Sequence, residues 1–423
     1  MTPPENHAAE RKARSNSLVL ACLRKGRDLE KISELKKLAA DDWEDIVAVA
    51  ARLRVVPLIF YTISPFISEL TVPGELFRKM RNIYYGSAGR NMRLHRQLLD
   101  IISRFNREGI SVLTLKGAHL AEFVYDNPAL RPMSDLDILA RRDDLDRIDL
   151  ILKDLGYSQS QPSAEIAGCV PRQHLAPYTK KNAAPIEVHF RLTCLSFSGR
   201  FDPAGFWQRA REQKNEDVKI LALGPEDLLL HLCAHAGMQH VFDNGLLPYV
   251  DILRVVEHYE KELDWEALFE RSREWGVERC VFLMLALTED MLGLALPGAV
   301  RREMGADAQT KAALAAALRL IFEKGPFVSS SFAQLFGQGW RSKLKAIHVT
   351  AFPSKDIMSA ETPTTGHITS FYQLRFYWLR SKWLWKKYAK TIWAALRKNP
   401  QTIAAIKIQT QRNNLSDWLG KTN

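Results

Sequence analysis

The chain has no C-x-x-C pair, and its five cysteines, Cys22, Cys169, Cys194, Cys233 and Cys280, lie far apart. That spacing offers neither a zinc site nor a disulfide framework, and it suggests a reducing, cytoplasmic compartment. No apolar run reaches the ~18 residues needed to span a bilayer. The nearest, Val281–Thr288, is stopped by Glu289 and Asp290. The opening MTPPENHAAERKARSNS lacks an apolar centre and a cleavage pattern, so no signal peptide is expected. Internal repeats and low-complexity tracts are also missing, which excludes a repeat architecture. Negative charge is missing from one place: no Asp or Glu occurs between Thr362 and Ser416. The ten basic residues there nearly account for the formal charge of +11, so the rest of the chain is close to neutral.

What is present is ordinary in amount and uneven in arrangement. With 423 residues, 46% hydrophobic and 25% charged, the composition suits a soluble globular protein of two or three domains. Residues 15–105 read as helical: Asp41-Asp42-Trp43 is a helix start, Pro73-Gly74 a break, and a long helix follows to about Asn106. The texture changes after Gly109. Ile110–Leu115 reads as a strand, Ala118–Tyr125 as a short helix, Ser134–Ala140 as a strand, and Asp144–Leu155 as an amphipathic helix. A hairpin is expected from His174–Thr179 to Ile186–Leu192. Alternation of this kind over some 90 residues implies a small α/β domain. Helices resume at Pro225 and run to about Lys324, and Phe371–Lys398 reads as a basic, aromatic helix. The expected division is a helical region at 15–105, a catalytic domain at 106–200, a helical domain at 201–325 and a basic, aromatic region at 326–423.

Asp135 and Asp137 sit two apart on a strand and therefore share a face, which neither Leu136 nor Ile138 occupies. The acids are expected to stand clear of the core. Glu187 is the best third partner, with His189 on its face; if the two strands pair, three carboxylates converge. Oxygen donors at that density suit Mg²⁺ (or Mn²⁺) plus substrate phosphate. Such a site serves in-line displacement at phosphorus, with one carboxylate available as a base. Lys116-Gly117 lies at a strand-to-helix junction, where glycine permits close backbone approach and the helix start favours anions. Lys116 and Arg131 are placed to neutralise a triphosphate.

The series LKGAHLAEFVY, LRPMSDLDILA and IEVHFRL resembles the uncharacterised bacterial nucleotidyltransferase family of the polymerase-β-type nucleotidyltransferase superfamily. The resemblance extends over roughly 18–300, taking in DDWEDIVAVAARLRVVPLIFYTI upstream and GPEDLLLHLCAHAGMQH downstream. It implies an α/β (α+β) nucleotidyltransferase core with a small mixed sheet, flanked by helical domains. It also implies that Asp135 and Asp137 are metal ligands, Glu187 the third acid, and Gly117 part of the nucleotide-binding turn. The expected reaction moves a nucleoside monophosphate from a nucleoside triphosphate to an acceptor hydroxyl and releases pyrophosphate. One departure is visible: many superfamily members have serine after the turn glycine, and this chain has Ala118.

Other residues carry weaker expectations. His231 and His235 have the i, i+4 spacing of a metal pair, but they lack the usual intervening glutamate and read as satisfied, partly buried histidines. His240 and Asp251 are read as acceptor-side groups whose loss should harm turnover more than folding. A small molecule, a peptide or a protein side chain is the expected acceptor. The 371–398 helix is read as docked on its own protein, or as meeting a membrane surface or acidic partner; nucleic acid ranks behind these. The competing function is a non-catalytic nucleotide-binding or scaffold protein that kept the fold, followed by nucleic-acid binding through the basic tail.

Overall fold

Leu136–Ala140 is buried at all five positions, which requires cover on both faces of the strand. In the computed structural model that cover is helical. The structure describes residues 3–24, 33–159, 174–192, 203–215, 217–304, 307–323 and 399–420, with 378, 382, 393, 394 and 397 as single positions. The proposed helix at 371–398 lies almost wholly outside the described residues. The chain divides into one unit of residues 1–160 and 172–322, and a second of 161–171 and 323–423.

The first unit opens with helices α1 (Pro3–Leu23), α2 (Ala40–Arg52), α3 (Val56–Ile63) and α4 (Gly74–Arg107). The Asp42 carboxylate accepts from the Ala39 N–H at 3.0 Å, so the acidic start read at 41–43 does cap α2. Helix α4, 34 residues long, extends about 51 Å at 1.5 Å per residue. The sheet segment follows as β1 (Val112–Thr114), α5 (Lys116–Phe123), β2 (Leu136–Ala140), α6 (Leu145–Asp154), β3 (Ser158–Gln159), β4 (Tyr178–Thr179), β5 (Ile186–His189), α7 (Pro203–Gln208), β6 (Arg211–Asn215) and β7 (Val218–Ala222). Helices α8 (Pro225–Ala234), α9 (Leu247–His258), α10 (Trp265–Glu274), α11 (Glu278–Leu292), α12 (Gly298–Met304) and α13 (Ala308–Phe322) complete the unit. The second unit holds α14 (Pro400–Leu419), whose start is capped by Asn399 Oδ1 accepting from the Thr402 N–H at 3.1 Å.

The seven strands form one mixed sheet in the order β3-β4-β5-β2-β1-β7-β6. β1 is antiparallel to β2 and parallel to β7, while β2 is parallel to β5. The expected hairpin forms, with β4 antiparallel to β5. The sheet does not stop at residue 200. β6 and β7 lie beyond the 106–200 segment read as the catalytic domain, with Leu221 beside Leu113 of β1. REQKN has too little apolar alternation to announce a strand, and one neighbour of β7, strand β1, is about a hundred residues away.

One face of the sheet rests on α4 and α6. Leu98, Ile102 and Phe105 pack with Ile148 and Leu152 against Leu136, Ile138 and Val188. Alternation then turns Asp137, Glu187 and His189 to the opposite face. That face is not open, contrary to the expectation that both acids stand clear: Asp137 is 5% exposed.

His119 on α5 is fully buried, stacked on Phe123, and neither of its ring nitrogens has a hydrogen-bond partner among the described residues. Burial, with a smaller effect from His258, lowers its pKa to about 4. The unfolded chain therefore binds a proton that the folded chain refuses, and stability falls as pH drops from about 6.5 towards 4, by up to ~1.4 kcal/mol per pH unit. His119→Leu is expected to flatten this part of the urea-midpoint profile. A profile as steep as the parent's would show that His119 does not contribute.

Candidate metal and nucleotide site

The β2–β5 register sets Asp137 beside Glu187 and Leu139 beside His189, and Asp135 immediately precedes β2. Ligand atoms of Asp137, Glu187 and His189 all lie within 4.8 Å of one another. The strand pairing thus brings together Asp137, Glu187 and His189, while Asp135 lies outside the strand at its entrance. Asp137 Oδ1 accepts from Lys116 Nζ at 2.8 Å and from His189 Nε2 at 2.8 Å. Burial by itself would raise the Asp137 pKa. The hydrogen bond from His189 and the charge of Lys116 outweigh it and hold this carboxyl well below the usual carboxylate range. Asp135 moves the other way: burial raises it, and the charges of Asp137 and Glu187 raise it further. Carboxylates crowded in this way repel one another unless a cation lies among them, and oxygen-rich donors suit a hard divalent ion. The residues present therefore fit such an ion.

Lys116 begins α5 with φ of +46°, a left-handed backbone that a non-glycine residue adopts at a cost of order 1 kcal/mol. Its side chain is engaged by Asp137, as described above. Gly117 follows at the close approach of α5 to the loop before β2: a Cβ there would stand 3.0 Å from Arg131 Nη1 and 3.1 Å from Met133 Cβ. The Arg131 guanidinium makes a two-pronged contact with Asp251 of α9, Nε to Oδ1 at 2.8 Å and Nη2 to Oδ2 at 2.8 Å. Tyr125 Oη also donates to Asp251 Oδ1, at 2.7 Å. From α4, Asn91 Nδ2 donates to the carbonyls of Pro128 and Arg131 at 2.6 and 2.8 Å. The loop that precedes the acids is thus held by α4 and α9 together.

Ala118 is 3% exposed and belongs to the apolar cluster beneath α4. Ala118→Ser would bury a hydroxyl in that core. It is expected to lower stability by about 1–2 kcal/mol with no gain in turnover. A gain in turnover would show that position 118 reaches a phosphate.

A cavity of about 480 Å³ joins the acids to a second wall. Arg54, His235, His240 and Asp251 border it opposite Asp135, Asp137 and Glu187. His235 opens a π-helical turn, His235–Gln239, and its Nε2 lies 3.2 Å from His240 Nε2. Burial lowers both imidazole pKa values, and the charge of Lys116 adds to the effect. The next two residues, Val241 and Phe242, take left-handed φ of +42° and +64°. Gly237 is required in the turn because any Cβ would collide with Cys280 Sγ. His231 departs from the expectation of a satisfied, partly buried histidine. It is fully buried, and neither ring nitrogen finds a partner among the described residues. The i, i+4 spacing could not show that α8 is covered on all sides.

His189 is the residue that sequence reasoning undervalued. It is 1% exposed and bonds Asp137, and its Nε2 also lies 3.5 Å from Glu187 Oε2. The signal was the E-x-H spacing on one strand face. The Lys116–Asp137 pair had no local signal, because its members are joined only by the β1–β2 contact.

Among the described residues no helix is long and apolar enough to cross a membrane. No curated protein and no solved structure matches the chain. A family described as "Uncharacterised nucleotidyltransferase" matches residues 39–293, more than half of the chain and the whole of the sheet and both cavity walls. The resemblance read over residues 18–300 is therefore correct at family level: the chain belongs to the uncharacterised nucleotidyltransferase family.

Proposed function

We propose that the protein transfers a nucleoside monophosphate from a nucleoside triphosphate to an acceptor hydroxyl, using Asp135, Asp137 and Glu187 with Mg²⁺ or Mn²⁺. The observation that carries this reading is the pairing of Asp137 with Glu187 across β2 and β5, with Asp135 at the strand entrance. A divalent ion held by these carboxylates would neutralise charge on the reacting phosphoryl group. His189 and Lys116 keep Asp137 ionised and oriented. Glu187, whose side chain is 25% exposed, takes the proton as the acceptor oxygen bonds to the α-phosphorus and pyrophosphate leaves. No described side chain caps the start of α5 at Lys116-Gly117, where helix N–H groups would face the triphosphate. Arg131 contributes positive charge from behind the turn, with Asp251 fixing its guanidinium.

A non-catalytic nucleotide-binding role is the second reading. It is favoured by the Lys116 ammonium, which already supplies a positive charge to Asp137. Incubation with Mg²⁺ and each α-labelled triphosphate separates the two. Transfer of label that is lost on chelation and lost in Asp135→Asn plus Asp137→Asn supports catalysis. Nucleotide and metal binding that is identical in the parent and the double variant would overturn the site assignment.

A further inference from the structure

Apart from its tail the chain is close to neutral, yet one face of the first unit is strongly basic. Lys79, Arg90 and Arg93 are exposed on α4, and their spacing places them within about 60° of one another around the helix. Two cavities open along this stripe. One, of about 1000 Å³, is bordered by Arg54, Arg78, Lys79 and Arg90. The next, of about 640 Å³, is bordered by Arg90, Arg93, Arg96, Lys180 and Lys181. Arg90 and Ser134 line both, and Ser134 also lines the cavity that holds the acids. Ser134 immediately precedes Asp135, so the basic groove runs up to the carboxylates.

Glu75 and Asp100 are the acids along the groove, and they are paired with Arg78 at 3.2 Å and Arg96 at 3.4 Å. Among the described residues, no carboxylate pairs with Lys79, Arg90 or Arg93. Like charges gathered this way repel one another, so a polyanion would relieve them. The groove floor supports an occupant independently. Gly86 sits mid-helix and exposed, with nothing within 4 Å of where a Cβ would stand, although an interior glycine costs a helix about 1 kcal/mol relative to alanine. Ile83, 38% exposed, borders the larger cavity and adds an apolar surface to it. From Lys79 to Arg93 the row covers about 21 Å of helix.

We propose that the acceptor is a single-stranded nucleic acid lying along α4. Its phosphates would rest on the Lys79, Arg90 and Arg93 row, and its terminal hydroxyl would pass Ser134 to reach the acids. The proposal rests on the nucleotidyl-transfer reading for the fate of that hydroxyl, whose proton goes to Glu187 as pyrophosphate leaves. Arginine forks suit phosphate oxygens.

The test uses the full chain and a 5′-fluorescein-labelled, unstructured 12-nucleotide RNA, with chelator and without triphosphate. Lys79→Glu, Arg90→Glu and Arg93→Glu combined should weaken binding at least about tenfold. It should also reduce the slope of log affinity against log salt by about 2, at ~0.7 per phosphate contact. Unchanged binding in the groove variant would assign binding to the basic tail and overturn the proposal, as would equal displacement by poly-glutamate at matched charge. With Mg²⁺ and labelled triphosphate, RNA bearing a free 3′ hydroxyl should take up label and 3′-phosphorylated RNA should not. Equal labelling of both would overturn the terminal-hydroxyl assignment. Groove-dependent binding with no label transferred from any triphosphate would support the groove and count against the transfer reading.

Discussion

Asp135→Asn and Asp137→Asn are expected to abolish transfer alike and to move stability in opposite directions. Asp137 is buried against Lys116 and His189, and its amide would leave those two groups without their counter-charge. Breaking a buried pair by removing one partner costs roughly 3–5 kcal/mol, so the melting midpoint should fall clearly. Asp135 stands in the reverse situation. Its neighbours Asp137 and Glu187 already disfavour its charge, so the neutral amide relieves repulsion and the midpoint should hold or rise. Turnover should drop by at least about a hundredfold in each, as expected when charge stabilisation at a transferring group is lost. Adding Mg²⁺ should stabilise the parent but not Asp135→Asn. Thermal unfolding with and without the metal, set beside label transfer, checks all of this. A fall in midpoint of equal size in both variants would mean that Asp135 is held in the fold by attraction rather than crowded by like charge.

Asp251→Ala is expected to destabilise the protein by about 3–5 kcal/mol, although Asp251 stands on the cavity wall opposite the acids. The sequence suggested that loss of Asp251 would harm turnover more than folding, and the structure reverses that reading. Asp251 is 2% exposed and receives Arg131 on both carboxylate oxygens as well as Tyr125. Burial opposes the Arg131 charge, and Asp251 more than restores it, so the guanidinium pKa is raised. Alanine at 251 would strand that charge inside the protein. Replacing both partners by apolar residues, Asp251→Leu with Arg131→Met, should recover most of the lost stability, while activity stays low if Arg131 serves the triphosphate. Urea midpoints of the two single variants and the pair give the coupling energy. A midpoint unchanged in Asp251→Ala, with turnover lost, would return Asp251 to the acceptor side.

Several elements were legible because they depend on neighbours in sequence. The break at Pro73-Gly74, the length of α4, the cap of α2 and the short β1–α5–β2 passage follow from turn chemistry and periodicity. The shared face of Glu187 and His189 follows from the two-residue repeat of a strand. Strands β6 and β7 were not legible, since their place depends on β1, about a hundred residues earlier.

By itself the sequence determined the family and the strand face that Glu187 and His189 share, because these reside in residue type and spacing. Only the tertiary structure decided that this face is covered, that Asp137 meets Lys116 and His189, that Arg131 is tied to Asp251, and that a basic groove along α4 reaches Ser134. Periodicity says which way a side chain points. What it meets there depends on contacts between residues 21 to 120 positions apart, such as Lys116–Asp137 and Arg131–Asp251, and these exist only once the chain has folded.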